Sequence, residues 1–354
     1  MFPFRDGFTY PKNAWYVAAW SSDVKQGALM ERWILGDPVV LYRARDGAPI
    51  ALAGRCPHRR YPLANGKLLD DDRLQCGYHG FTFDRSGACV HIPSTDRVQP
   101  GMRVLSYPIV ERWSWLWIWM GDPALADPAL IPDHRTVLGV EDPGMTAAGG
   151  GYLQIGCRYQ LLHENILDLT HLAFVHLGSL GSAQTAAGDV EIESEGRVIR
   201  VIRWTYAEEP TPLYVEALGV RGPIDRMHVT EFHAPSLHVV RVRVNPAGSS
   251  DGPFLEHRGL HAITPATPTT THYHFGVTRD YARDAAAVTG VIQQGFHAAF
   301  LEDQEVLERQ ERMVASDPNP RPLELSVKAD EGALKSRRLM ESLIAAEMHP
   351  VTKA

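Results

Sequence analysis

The 354-residue sequence predicts an α+β protein in two parts: an all-β N-terminal half, then a half that mixes strands with helices. Three observations carry this. Short apolar runs broken by turn residues fill positions 33 to about 120. A proline-rich stretch interrupts the pattern at 121–132. Strand-like runs beyond it lead into one long helical repeat that begins at Thr289.

In the first half, Trp33 to Tyr42 and Ala48 to Ala53 read as strands around a turn at Arg45-Asp46-Gly47. Phe81-Thr82-Phe83-Asp84-Arg85-Ser86-Gly87 reads as a strand running into a turn. Trp113 to Met120 is the most apolar segment. It is far shorter than the roughly 20 residues of a membrane helix, so a buried strand is expected. From Gly121 to Pro132 three prolines disfavour a regular element, and Asp-Pro-Ala-Leu occurs twice, too briefly for a repeat architecture. The domain boundary is placed here, with residues 1–121 as the first domain, 122–135 as a linker and 136–354 as the second domain. In that second domain Tyr159 to His176 reads as a helix. Val198–Trp204, His238–Val244, Gly259–Thr264 and Thr271–Thr278 read as strands, and Thr289–Ala315 as a helix.

Hydrophobic residues make up 44% of the chain, enough for a core in each part. The net charge is -7 and no dense basic tract occurs, so nucleic acid is not an expected partner. The opening Met1-Phe2-Pro3-Phe4-Arg5-Asp6 has no apolar run of the secretory kind, and the expectation is a cytoplasmic chain with no membrane segment. Four cysteines, at 56, 76, 89 and 157, do not suggest a disulfide framework in such a chain; each is a ligand or a small buried group. With sixteen histidines, only a spaced constellation is informative.

Cys56-Pro57-His58 and Cys76-Gly77-Tyr78-His79 form such a constellation, 17 residues lying between His58 and Cys76. Two thiolates and two neutral imidazoles are the ligand set of a Rieske 2Fe-2S cluster, thiolates on one iron and imidazoles on the other. The competing reading is structural zinc, which also takes two cysteines and two histidines. Zinc fingers usually pair like with like along the chain, whereas each half-site here mixes one of each, with Pro57, Gly77 and Gly80 at matching turns. Cys89 matches no ligand position and is read as buried.

This stretch resembles the Rieske non-haem iron oxygenase family through Cys56-Pro57-His58-Arg59, Cys76-Gly77-Tyr78-His79-Gly80-Phe81 and Phe83-Asp84-Arg85-Ser86-Gly87. Asn13-Ala14-Trp15-Tyr16-Val17 is similar to the opening strand of one of its branches. The resemblance implies a helix-grip-like catalytic domain, an antiparallel sheet with helices, after the Rieske domain.

The second constellation lies in Leu161-Leu162-His163-Glu164-Asn165-Ile166-Leu167-Asp168-Leu169-Thr170-His171-Leu172-Ala173-Phe174-Val175-His176. Asp168 and His171, three apart, share a helix face, with Asn165 one turn earlier on it, a candidate neighbour of any metal held there. His171 and His176 are about 140° apart on an ideal helix, so their rings converge only if it ends or bulges near Val175. Read alone, the segment could equally be an amphipathic helix with two polar-face histidines. In the helix from Thr289, an apolar stripe runs through Ile292, Phe296, Ala299, Phe300, Val306, Leu307, Met313 and Val314, and Asp303 interrupts it; Glu302 and Glu305 fall with Arg309 on the polar side. A carboxylate on an apolar face is costly unless paired or metal-bound. His171, His176 and Asp303 would make a facial triad suited to Fe(II). The family carries its mononuclear iron on an Asp-x-x-His-x4-His segment and a late Asp, which fall here at Asp168, His171, His176 and Asp303.

The resemblance implies an O2-dependent oxygenase component fed by NAD(P)H through a separate reductase, since no dinucleotide fingerprint follows a strand here. It implies a homotrimer, in which the Rieske centre of one subunit faces the iron of the next and Asp168 bridges His171 to a neighbour's His79. Arg59 and Arg60 offer a patch for an acidic reductase, or are merely solvated. Within the family the chain is similar to the vanillate and dicamba O-demethylase branch, through Asn13–Val17, Asn165-x-x-Asp168-Leu169-x-His171 and Ser336-Arg337-Arg338; it departs at His163-Glu164. That branch implies a carboxylated, methoxylated aromatic substrate and release of formaldehyde. Ring cis-dihydroxylation or methyl hydroxylation is the alternative within the family, and a Rieske electron carrier the alternative outside it. His257, His261, His272 and His274, with Arg241 and Arg243, lie on expected pocket strands, and each is as readily a core or surface residue.

Overall fold

The computed structural model describes residues 10–95, 97–249, 255–319 and 324–348; Met1 to Asp6 lie outside them. Contacts divide the chain into two units: residues 10–131 with 264–268, and residues 132–263 with 269 onward.

The first unit is all-β. Its strands are β1 (Trp15–Trp20), β2 (Met30–Ile34), β3 (Asp37–Arg43), β4 (Pro49–Ala53), β5 (Lys67–Leu68), β6 (Leu74–Gln75), β7 (Thr82–Phe83), β8 (Cys89–His91), β9 (Ile109–Arg112) and β10 (Trp115–Trp119). They form three small sheets, β1-β10-β9, β2-β3-β4 and β5-β6-β7-β8. The apolar Trp113–Met120 run contains β10, buried throughout its length as its composition requires. Trp15 pairs with Trp119 across the β1–β10 ladder, their rings meeting edge to face at 5.5 Å. The expected single strand Trp33–Tyr42 is two strands. Leu35 and Gly36 both take positive φ, and this tight turn folds β2 back onto β3. Each Asp-Pro-Ala-Leu copy forms one 3-10 turn, capped by Asp122 or Asp127 accepting from the N–H two residues on.

The second unit is built on a seven-stranded sheet. Its strands are β11 (Thr146–Ile155), β12 (Asp189–Glu195), β13 (Val198–Glu208), β14 (Ile224–His233), β15 (Leu237–Pro246), β16 (Leu255–Thr267) and β17 (Thr270–Arg279). Their order is β11-β17-β16-β15-β14-β13-β12, so the sheet is a meander closed at one edge by the first strand. The helices are α1 (Tyr159–Leu167), α2 (Pro212–Leu218), α3 (Ala286–Ser316) and α4 (Glu331–Met348). None of the described helices is long and apolar enough to cross a membrane. Ile292, Phe296, Ala299, Phe300 and Leu307 of α3 are buried with Asp303, as the stripe requires, whereas Val306 and Met313 are exposed.

The expected helix Tyr159–His176 is shorter. α1 stops at Leu167, where Asp168 is extended and its carboxylate accepts from Thr170 N, opening a 3-10 turn over Leu169–Ala173. Asp168 thus ends one helical piece and starts the next. It does not share a continuous helix face with His171.

Candidate active site

The two Rieske-type loops are near copies. Cys56 N donates to Tyr61 O at 2.9 Å, and Arg60 N to Cys56 O at 2.8 Å. Cys76 N donates to Phe81 O at 2.7 Å, and Gly80 N to Cys76 O at 3.0 Å. The fifth residue of each loop has positive φ, Arg60 in one and Gly80 in the other. Both thiols are buried, and the His58 and His79 rings meet at 4.5 Å, with Phe81 stacked on His58. Burial pushes the Cys56 thiol up to about 11, and the adjacent Cys76 adds to the effect. Paired buried thiols of this kind ionise readily only against a cation, so the donor set fits an iron-sulfur cluster. Cys89 is buried and its sulfur contacts His91 O, in keeping with a packing role.

In the second unit the short α1 makes the histidines converge. Beyond the 3-10 turn, Val175 N donates to His171 O at 2.7 Å and Gly181 N to His176 O at 2.8 Å, curling the chain back. Gly181 is required there, since a Cβ would sit 1.8 Å from Leu172 O. The His171 and His176 rings lie 5.1 Å apart. The Nε2 atoms of His176 and His171 stand 3.0 and 3.5 Å from Asp303 Oδ1. Among the described residues, these three form the group whose donor atoms all fall within 4.8 Å of one another.

Both rings are held from behind. His171 Nδ1 donates to Asp168 O at 2.6 Å, and His176 Nδ1 to Glu302 Oε2 at 2.7 Å. Each Nε2 is thereby left to face Asp303, the arrangement usual behind metal-ligating histidines, and the set fits a mononuclear ion. Glu302, read from periodicity as a polar-face residue, is therefore part of the site. Asp168 contacts His171 through its main-chain carbonyl, and its carboxylate faces Thr170 N and Arg203. Asn165 Nδ2 donates to Asp303 Oδ1 at 3.1 Å. Burial lowers the pKa of His171 against the pull of Asp303. For His176 burial is outweighed by Asp303 and Glu302, and its pKa rises.

The helices that carry these residues are tied by buried charge. Arg158, at the start of α1, makes a two-pronged contact with Glu311 of α3, both partners buried. Arg337, from the Ser336-Arg337-Arg338 signature, binds Glu164 at 2.6 Å, so that signature and the divergent Glu164 are partners. His163 meets His238 in a buried contact of 2.6 Å.

A cavity of about 650 Å³, its mouth included, adjoins the triad. Ile166, Leu172, Val240, Val242, Phe296 and Phe300 give it an apolar wall. Of the residues expected on pocket strands, His257 and His261 line it. His272 instead contacts Tyr152 OH, and Arg241 and Arg243 pair with Glu256. Arg226, His228, Thr211 and Tyr214 also line it and were not foreseen.

Comparison with known proteins agrees with both modules. The family model for the Rieske [2Fe-2S] domain matches residues 14–108, and that for the vanillate O-demethylase oxygenase C-terminal domain matches residues 155–346. The chain belongs to the Rieske non-haem iron oxygenases, an oxidoreductase family, with the two-module build of the vanillate O-demethylase oxygenase component. It is 36% identical to the dicamba O-demethylase oxygenase component of Stenotrophomonas maltophilia, over 95% of this chain and 98% of the relative. It is 35% identical to the iron-sulfur subunit of the toluene-4-sulfonate monooxygenase system of Comamonas testosteroni, over 95% and 97%. A crystal structure of dicamba monooxygenase bound to 3,6-dichlorosalicylic acid superposes with a TM-score of 0.89 at 34% identity, covering 96% of this chain and 99% of the other.

Proposed function

We propose that this chain is the oxygenase component of a multicomponent monooxygenase that O-demethylates a methoxylated aromatic compound with release of formaldehyde. The observation that carries this is the convergence of His171, His176 and Asp303 beside a cavity with an apolar wall. In our reading Cys56, His58, Cys76 and His79 hold the cluster, and His171, His176 and Asp303 hold the iron. When bound, the cluster delivers single electrons and the iron activates O2. The balance is one methyl ether, one O2, two electrons and two protons to one phenol, one formaldehyde and one water. NAD(P)H electrons arrive through a separate reductase.

The residues behind the ligands have distinct tasks. Asp168 O and Glu302 fix the two imidazoles by their Nδ1–H groups. Asn165 orients the Asp303 carboxylate. Phe296 and Phe300 give the cavity an apolar side on which an aromatic ring can pack. We assign the Asp168 carboxylate to an electron-transfer bridge toward His79 of a neighbour in a homotrimer. This is supported by its place on a second cavity that shares Asn165 and His171 with the first. The experiment is iron and sulfide analysis with O2 uptake and formaldehyde assay, using a surrogate reductase and methoxylated aromatics. Three irons, two sulfides and equimolar formaldehyde are expected per chain and turnover; two irons, or a ring diol as product, would overturn the reading.

A further inference from the structure

We propose that the cavity wall at His228 and His257 is a hydrogen-bonding subsite for an uncharged substituent of the substrate, such as a hydroxyl or amide, and that it disfavours a carboxylate. This rests on the proposed function only for the substrate being an aromatic that enters this cavity.

The register of the sheet builds the subsite. His228 on β14 lies opposite Val242 on β15, which lies opposite His257 on β16. The two imidazoles thus flank one valine on the cavity face. Both are buried and line the cavity, and each has an Nδ1 with no hydrogen-bond partner among the described residues. A buried polar atom without a partner costs free energy that an incoming group can recover. His257 is four residues from His261 along β16, roughly 13 Å at strand spacing. His261 lies at the end nearer the triad, close enough to feel the Asp303 charge. A single aromatic ring with a substituent at each end fits within such a distance and leaves room for a hydrogen bond at the His257 end.

The charges on this wall cancel. Arg226 is the cation lining the cavity among the described residues, and it is spent internally. Its Nε lies 2.6 Å from Glu208 Oε1, and its Nη2 donates to Glu208 Oε2 and Thr185 Oγ1 at 3.1 and 2.8 Å. Its Nη1 donates to Leu180 O at 2.9 Å, and Glu208 is fully buried. Burial pushes the His257 pKa down to about 3 and that of His228 well below the usual range, and Arg226 presses both the same way. Both rings are therefore neutral near pH 7. A neutral imidazole offers one donor and one acceptor, which complements a hydroxyl or an amide. A carboxylate only accepts, and here it would shed its water without meeting an uncompensated cation.

The test uses two probes of nearly equal shape, 4-methoxybenzamide and 4-methoxybenzoate, titrated calorimetrically into the full metal-loaded chain at pH 7.5 without O2. The amide should bind at least about tenfold tighter, the loss expected when a charge enters unpaired. His257→Leu and His228→Leu should each weaken the amide by about tenfold. Glu208→Gln, which uncovers the Arg226 charge, should move the preference toward the benzoate. If that variant does not fold, the wild-type ratio and the histidine variants decide. Benzoate binding as tightly as the amide, histidine variants with no effect, or neither probe binding at millimolar concentration overturns the subsite. Formaldehyde measured in parallel separates the two readings. An amide that binds tightly but is never demethylated supports the subsite and counts against demethylation. Two demethylated probes with the benzoate preferred overturn the subsite alone.

Discussion

Glu302 gives the sharpest handle on the proposed iron site, because it acts on His176 without being one of the three grouped donors. Its Oε2 accepts from His176 Nδ1 at 2.7 Å, with the histidine side chain 3% exposed and the glutamate 40%. A hydrogen bond to a charged group contributes about 1.5–3 kcal/mol, and the half-exposed carboxylate places this one near the lower limit. About 1.5 kcal/mol is close to tenfold in a dissociation constant, within the range for outer partners of metal-bound histidines. Glu302→Ala should therefore weaken Fe(II) binding by about tenfold. Glu302→Gln keeps an acceptor oxygen but loses the charge, and should cost about threefold. Anaerobic competition with a chromophoric chelator measures both, and the visible spectrum of the Rieske cluster serves as an internal control that should not change. An alanine variant that holds iron within about twofold of wild type would refute the reasoning.

Three further outcomes are expected. Asp168→Asn keeps the oxygen that accepts from Thr170 N, so both metals should stay, while rapid single-turnover electron transfer to the mononuclear iron should be lost; stopped-flow spectra at wild-type rates would contradict the bridge. Gly181→Ala drives a methyl onto Leu172 O, and should cost about 2–3 kcal/mol in urea unfolding and release iron, as overpacking at a backbone contact does. Finally, His163, His257 and His261 have pKa values pushed down by burial to about 3, 3 and 4. The unfolded chain takes these protons near 6.5 and the folded one does not. Stability should fall as pH drops below about 6.5, by up to ~1.4 kcal/mol per unit for each histidine. Equal urea midpoints at pH 7.5 and 5.5 would speak against this.

The parts of the site that could be read from sequence are those set by short-range spacing. Cys-x-His with Cys-x-x-His, and His171 with His176, stand close enough along the chain for their pattern to be seen. Asp303 was visible because an acid in an apolar helical stripe is conspicuous. The wall of the cavity was not visible, and β14 shows why. Its buried positions include Arg226, His228 and Thr230, while Met227 and Val229 alternate with them on the less buried face. That inverts the usual polar-out alternation, so the segment did not register as a strand. Glu302 was missed because helical periodicity reports which face a residue occupies, and a long side chain on the solvent face can still reach inward. The break at Asp168 escaped notice because an aspartate that caps the following turn looks, in sequence, like any polar helix position.

The site also has a mechanical side. His176 and Asp303 are 127 residues apart in the chain yet 3.0 Å apart in space. An ion held between them is a cross-link that closes most of the second unit into one loop. Cross-links over loops of that size restrict the unfolded ensemble by an amount on the order of 4–5 kcal/mol in the chain-entropy picture. Iron at this position would therefore act as a staple on the domain as well as a reagent, and conditions that strip it would soften the sheet and both long helices together.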